Sequence, residues 1–259
     1  MDSHLALQLV AGSCVAGTSA YLGSLMMTKR MGLVGDALGH VALPGMGIAL
    51  LLNLDTSLGA LFFLGIGILL IWKLAHITSI SLEALAGIIF VTSLSIGFLI
   101  IPKPELLESL IGDISRLSRF GVTFSVIISG LVFVAVKRIY AGMMLMNISE
   151  DLAFVEGITP KRYNLYYLIC VAMLVSVGIK VTGSLLVGAL VIVPSATARV
   201  LSSNLKHYVR ISIGVGILSN VLGILTSNYL RCIPGPVIIL FSALSFIVAV
   251  GYRQVFKVS

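Results

Sequence analysis

Charge is scarce in this chain. Of its 259 residues, 17 are Lys or Arg and 10 are Asp or Glu, 10% in all, where a soluble domain carries roughly a quarter. A water-facing surface cannot be built from so few charges, so a soluble globular fold is excluded. Cysteine is also rare. Cys14 and Cys170 fall within apolar runs and Cys232 near the edge of one, which leaves no disulfide framework. No G-x-x-x-x-G-K-[ST] sequence occurs, so the chain has no P-loop with which to hold ATP phosphates. Long polar stretches are missing too, and with them any large domain outside a membrane. The net charge of +7 does not indicate nucleic acid, because the bases stand singly or in pairs between apolar runs, as topology signals do.

What the chain has instead is apolar residues, 58% of the total. They recur in runs over about 5–27, 36–52, 57–72, 80–101, 121–136, 165–180, 183–198, 211–229 and 235–250. Runs of this length predict an all-α, polytopic membrane protein with eight to nine transmembrane helices, some short or broken, forming one domain over residues 1–259. The first run is followed by Thr28-Lys29-Arg30 and has no basic segment before it, which argues against a cleaved signal peptide. With the N-terminus outside and spans alternating, all the bases except Lys103, Arg116, Arg119, Lys180 and Arg231 fall on the cytoplasmic side. That asymmetry predicts an outer N-terminus and a cytoplasmic C-terminus. Residues 165–198 read either as two short spans or as one span and a broken helix. Gly- and Pro-interrupted segments of this kind line pathways in transporters, because their freed backbone groups need a cavity or a protein partner. Residues 102–120 read as an external loop with an amphipathic helix near 105–119.

Ionisable groups inside apolar runs are costly, so each needs a reason. Two acids qualify, Asp36 and Glu83, and one histidine, His40. Asp36 and His40 stand four apart and share a helix face, with Cβ atoms about 5–6 Å apart. A carboxylate with a neutral imidazole suits zinc, manganese or ferrous iron. The alternative is an Asp–His hydrogen bond, with Asp36 also capping a helix after Gly35. Glu83 opens a span, where the helix dipole stabilises an acid. His4, His76 and His207 read as interfacial residues, and the methionines as packing. Ser149 through Pro160 is the most polar internal segment. Its spacing describes a short capped helix with a Gly and Pro stop, which either ties two spans together or docks on a partner.

The stretch Arg30 to Gly45 resembles the signature R-M-x-L-x-G-D-A-L-x-H-x-x-L-P-G of the ABC-3 permeases, the membrane subunits of ABC importers for zinc, manganese and iron. The resemblance continues through Glu83 to Ile88, Ser149 to Ile158, Val181 to Arg199 and Pro234 to Ile238, in order and over nearly the whole chain. It implies that Asp36 and His40 form an intramembrane metal site. It also implies that Ser149, Glu150, Asp151, Ala153, Glu156 and Gly157 belong to a coupling helix seated in a groove of an ATPase subunit, with Ala153 and Gly157 at its small-residue positions. The further implied partners are an extracytoplasmic metal-binding protein and a second permease copy, in a bacterial inner membrane. On this reading the metal is cargo, with zinc favoured by the form of the Ser149–Gly157 loop and manganese or iron also compatible. No cofactor is held permanently, and ATP is hydrolysed elsewhere. Gly39 and Gly188 depart from the family pattern. The rivals are a secondary transporter or channel, and an intramembrane enzyme with Ser184 as nucleophile and His40 as base.

Overall fold

The computed structural model describes residues 3–29, 31–54, 56–78, 80–101, 110, 112, 114, 118–184 and 186–256. Eleven helices are described: α1 (Ser3–Thr28), α2 (Gly32–Val41), α3 (Leu43–Leu51), α4 (Thr56–Ile77), α5 (Leu82–Ile100), α6 (Arg119–Ile148), α7 (Glu150–Val155), α8 (Pro160–Thr182), α9 (Val187–Leu201), α10 (Leu205–Leu230) and α11 (Pro234–Phe256). Eight segments are long and apolar enough to cross a membrane, α2 and α3 counting together as one, and α9 is a shorter apolar helix. The chain is a multi-pass membrane protein. The amphipathic helix expected near 105–119 lies outside the described residues.

Two interruptions depart from simple spans. The run expected as 36–52 is two helices meeting at Ala42. Pro44 has no N–H to give the carbonyl of His40 four residues back, so the α-helical ladder cannot continue through it. The ambiguous run 165–198 resolves into one full span, α8, and the short α9, separated at Gly183. Gly183 adopts φ 84° and ψ 166°, a region open essentially to glycine alone. The 15 residues of α9 reach about 22 Å, short of a hydrocarbon core about 30 Å thick.

The run expected as 121–136 is the start of a much longer helix. Lys137 and Arg138 do not end it, since both stay exposed on its outer face and are good helix formers. The 30 residues of α6 span about 45 Å, more than a hydrocarbon core about 30 Å thick, and α7 follows directly at its end.

Helices α1, α2–α3 and α8 are the most enclosed, and α5, α11 and α4 expose broad apolar faces. Small residues set the closest crossings, as expected where no hydrophobic drive separates helix from lipid. A Cβ on Gly45 would lie 2.1 Å from the carbonyl oxygen of Gly59, so α3 and α4 meet backbone to backbone. Hydroxyls tie α1, α9 and α10: Ser212 donates to the Ala20 carbonyl at 2.7 Å, and Ser195 Oγ lies 3.2 Å from Ser212 Oγ. One end of the bundle is laced by polar contacts between helix ends. Lys29 donates to Asn164 Oδ1 at 3.2 Å, Asn147 to the Thr28 carbonyl at 3.2 Å, and Trp72 to the Lys161 carbonyl at 3.1 Å. Arg199 reaches the Met27 carbonyl at 3.4 Å. These contacts gather the ends of α1, α4, α6, α8 and α9 on the side of the bundle where α7 follows α6.

Replacing Gly45 by Leu forces α3 and α4 apart. Overpacking of this kind costs about 1–3 kcal/mol, so the purified Gly45→Leu protein is expected to unfold at a lower temperature. Gly65→Leu, at a glycine with open space around it, is expected to match the unsubstituted protein in the same detergent.

Candidate functional site

Asp36 and His40 lie one turn apart inside α2. The helix starts at Gly32 with Met31 as its cap, so Asp36 sits in the second turn and caps nothing. The expected side-chain pairing is also replaced by another arrangement. His40 Nδ1 is 3.1 Å from the backbone carbonyl oxygen of Asp36. A carbonyl only accepts, so Nδ1 carries the proton and donates it, and the lone pair of the neutral ring lies on Nε2. A bond from the other ring nitrogen to a backbone carbonyl fixes the tautomer in metal-binding histidines. It also leaves the Asp36 carboxylate free of the ring. His40 is 5% exposed, whereas Asp36 keeps part of its surface open.

Three elements wall the pair. Helix α9 lies against Asp36 at Gly188, where a Cβ would stand 2.5 Å from both Cβ and Oδ1 of Asp36. The break between α8 and α9 lies against the next turn, with the Ser184 carbonyl oxygen 2.7 Å from a Cβ placed on Gly39. Helix α5 supplies Phe90, whose ring stands edge to face with the His40 imidazole at 4.9 Å between centroids and 79° between planes. Composition and spacing gave no sign of Phe90, because the contact joins residues fifty apart in sequence. Gly188 stood out as a departure from the family pattern, with no geometry to interpret it.

Among the described residues no group of three or more His, Cys, Asp and Glu side chains converges. Asp36 and His40 are the sequence-predicted pair that the fold keeps together, one turn apart on α2. The Ser184 hydroxyl at the α8–α9 break is fully buried and has no hydrogen-bond partner. A serine nucleophile needs a base within hydrogen-bond reach, and among the described residues the Ser184 hydroxyl has none.

The other ionisable residues singled out in the sequence stand near helix ends. Ser81 caps α5, accepting from the Ala84 N–H at 3.3 Å, with Glu83 in the first turn. His4, His76 and His207 are exposed near helix ends, as expected.

The segment Ser149–Gly157 forms the expected capped helix. Ser149 Oγ accepts from the Leu152 N–H at 3.3 Å, Glu150 to Val155 form α7, and Gly157 ends it at φ 73°. The Ile158 N–H donates to the Ala153 carbonyl at 2.9 Å and the Gly157 N–H to that of Phe154 at 3.0 Å, a Schellman closure. Ala153 is fully buried in the chain's own core. Its methyl group packs α7 against the rest of the chain. The outward face carries Leu152, Phe154 and Val155, 55%, 73% and 82% exposed, beside Asp151, Glu156 and Gly157, which are also exposed.

A family model described as the ABC 3 transport family matches residues 1–253. This chain belongs to the ABC 3 transport family. It is the membrane-embedded permease and not the ATPase. It is 28% identical to the high-affinity zinc uptake system membrane protein ZnuB of Buchnera aphidicola from Schizaphis graminum, over 93% of this chain and 94% of that one. It is 27% identical to the manganese import system permease protein ScaB of Streptococcus gordonii, over 96% and 91% respectively. The solved structure of PsaBC from Streptococcus pneumoniae in complex with Fab matches with a TM-score of 0.82 at 23% identity, covering 98% of this chain and 96% of that one. The last match speaks for the fold.

The α9 contact on Asp36 generates a prediction within the ABC-3 permease. Gly188→Val places its side chain where the Asp36 carboxylate stands. Transport of the permease's metal in cells is expected to fall at least tenfold, while Gly65→Ala at matched expression is expected to transport normally.

Proposed function

We propose that the chain forms part of the translocation path of a bacterial uptake system for a divalent transition metal, and that Asp36 and His40 hold the ion partway across the membrane. The observation that carries this reading is the Asp36–His40 turn inside an enclosed helix, with the imidazole tautomer set so that Nε2 is the donor atom. An ionised carboxylate offsets part of the cost of stripping water from a dication in hydrocarbon, and a neutral imidazole adds affinity without adding charge. Zinc is favoured over manganese and ferrous iron, since nitrogen donors and the affinity order both point that way. The zinc relative agrees with this choice, and the manganese relative keeps the alternative in play for the test.

Two further parts follow from the same reading. An ATP-binding cassette subunit docks on α7, and an extracytoplasmic metal-binding protein delivers the ion at the opposite end. The support for the first is the apolar face of Leu152, Phe154 and Val155, at the end of the long α6. Because α7 is continuous with α6 and, through Thr159, with α8, a movement at the ATPase reaches the α8–α9 break and so the ion. A second copy of the permease completes the pathway. The α7 end is cytoplasmic, because Lys29, Lys161 and Arg199 gather there, in accord with the excess of bases on inner loops. Helix α1 begins at the other end and α11 finishes at this one, which makes the N-terminus external and the C-terminus internal. A secondary transporter would leave the exposed apolar face of α7 without a counterpart.

Uptake in cells lacking their own importer tests the ion site, with zinc, manganese and ferrous iron offered separately and the partner subunits supplied. Asp36→Ala and His40→Ala are each expected to reduce uptake of one metal at least tenfold while the complex still assembles. Normal transport by both variants would make the pair structural. For the docking face, Phe154→Asp is expected to lower the ATPase recovered with the affinity-purified permease at least tenfold, and undiminished recovery would move the interface elsewhere.

A further inference from the structure

We infer that Phe90 is a positioning residue for the metal site, holding the His40 imidazole in the orientation that presents Nε2 to the ion. The inference rests on the reading of Asp36 and His40 as the metal-holding pair. A histidine side chain has two free torsions, and its bond from Nδ1 to the Asp36 carbonyl restrains the ring at one nitrogen only. Rotation about the line through that bond still swings Nε2. The Phe90 ring blocks that rotation, because it meets the imidazole at 4.9 Å and 79°, the edge-to-face arrangement that aromatic quadrupoles favour.

The support comes from a different helix, which is what makes it a brace. Phe90 lies on α5, which packs along α2. Phe90 itself packs against the main core cluster, so its ring is backed by protein and not only by lipid. Helix α5 thus meets the turn at His40 through Phe90, while α9 and the α8–α9 break press on the Asp36 and Gly39 side. A ligating imidazole depends on preorganisation, since ligands must be held within about 0.5 Å and 10–20° of the productive geometry. Another aromatic on the same helix, Phe98, points outward and is 53% exposed.

The test is equilibrium binding of zinc and of manganese to the purified permease–ATPase complex in nanodiscs, read by competition with a fluorescent chelator. Cobalt absorption serves as a second readout of ligand geometry. Phe90→Leu keeps an apolar side chain of similar bulk but removes the ring. It is expected to weaken binding of the preferred metal about three- to tenfold and to change the cobalt spectrum, with assembly retained. Phe90→Tyr keeps the ring and is expected to restore most of that loss, and Phe98→Leu is expected to match the unsubstituted complex. If His40→Ala abolishes binding while Phe90→Leu binds as tightly as the unsubstituted complex with the same cobalt spectrum, the positioning role is overturned and the metal-site reading stands. If His40→Ala itself binds normally, the metal-site reading fails and takes this inference with it. An equal loss of affinity in Phe90→Tyr and Phe90→Leu would reduce Phe90 to a packing residue and overturn the proposal.

Discussion

Inside a bilayer every backbone N–H and C=O must be satisfied by the protein itself, and this constraint governs the rest of the structure. A helix interrupted within the membrane is tolerable only where neighbouring protein covers the break. This permease has two interruptions, at Ala42 between α2 and α3 and at Gly183 between α8 and α9. They are packed close to one another, for the Ser184 carbonyl at the second break lies over Gly39, three residues before the first. The only intramembrane acid–histidine pair among the described residues is in that same turn. A broken helix and an intramembrane ionisable pair answer a common need, since both require polar groups screened from lipid by protein.

The consequence is that the site is built from contact surfaces more than from ligands. Gly188 contributes no functional atom, yet its missing side chain is the space in which the Asp36 carboxylate stands. The backbone of Asp36 contributes an acceptor that fixes the imidazole proton on Nδ1. The apolar face of α7 lies at the end of the extended α6, and polar contacts join the ends of five helices on that side of the bundle.

Much of this was legible in the residues. The apolar runs located every span, because hydrocarbon thickness sets a length that composition reveals directly. The cap at Ser149 and the stop at Gly157 were readable because capping is local, involving atoms within a few residues. The boundaries of α6 were not, since Lys137 and Arg138 mark an approach to water without ending a helix. Asp36 as a cap was likewise a local reading that failed: the helix starts four residues earlier, at Gly32. Nor was the inward turn of Ala153 visible, because a six-residue helix has too little periodicity to declare its buried face.

The sequence by itself determined that this is a polytopic helical membrane protein, where its helices run, and which two side chains inside them have the chemistry to hold a metal. Those properties follow from transfer free energy and from spacing along one helix. The tertiary structure alone decided which surfaces enclose the pair and which side of α7 faces outward. Each of these depends on residues far apart in sequence, His40 and Phe90, Asp36 and Gly188, Gly39 and Ser184, brought together by helix packing whose partners no local pattern encodes.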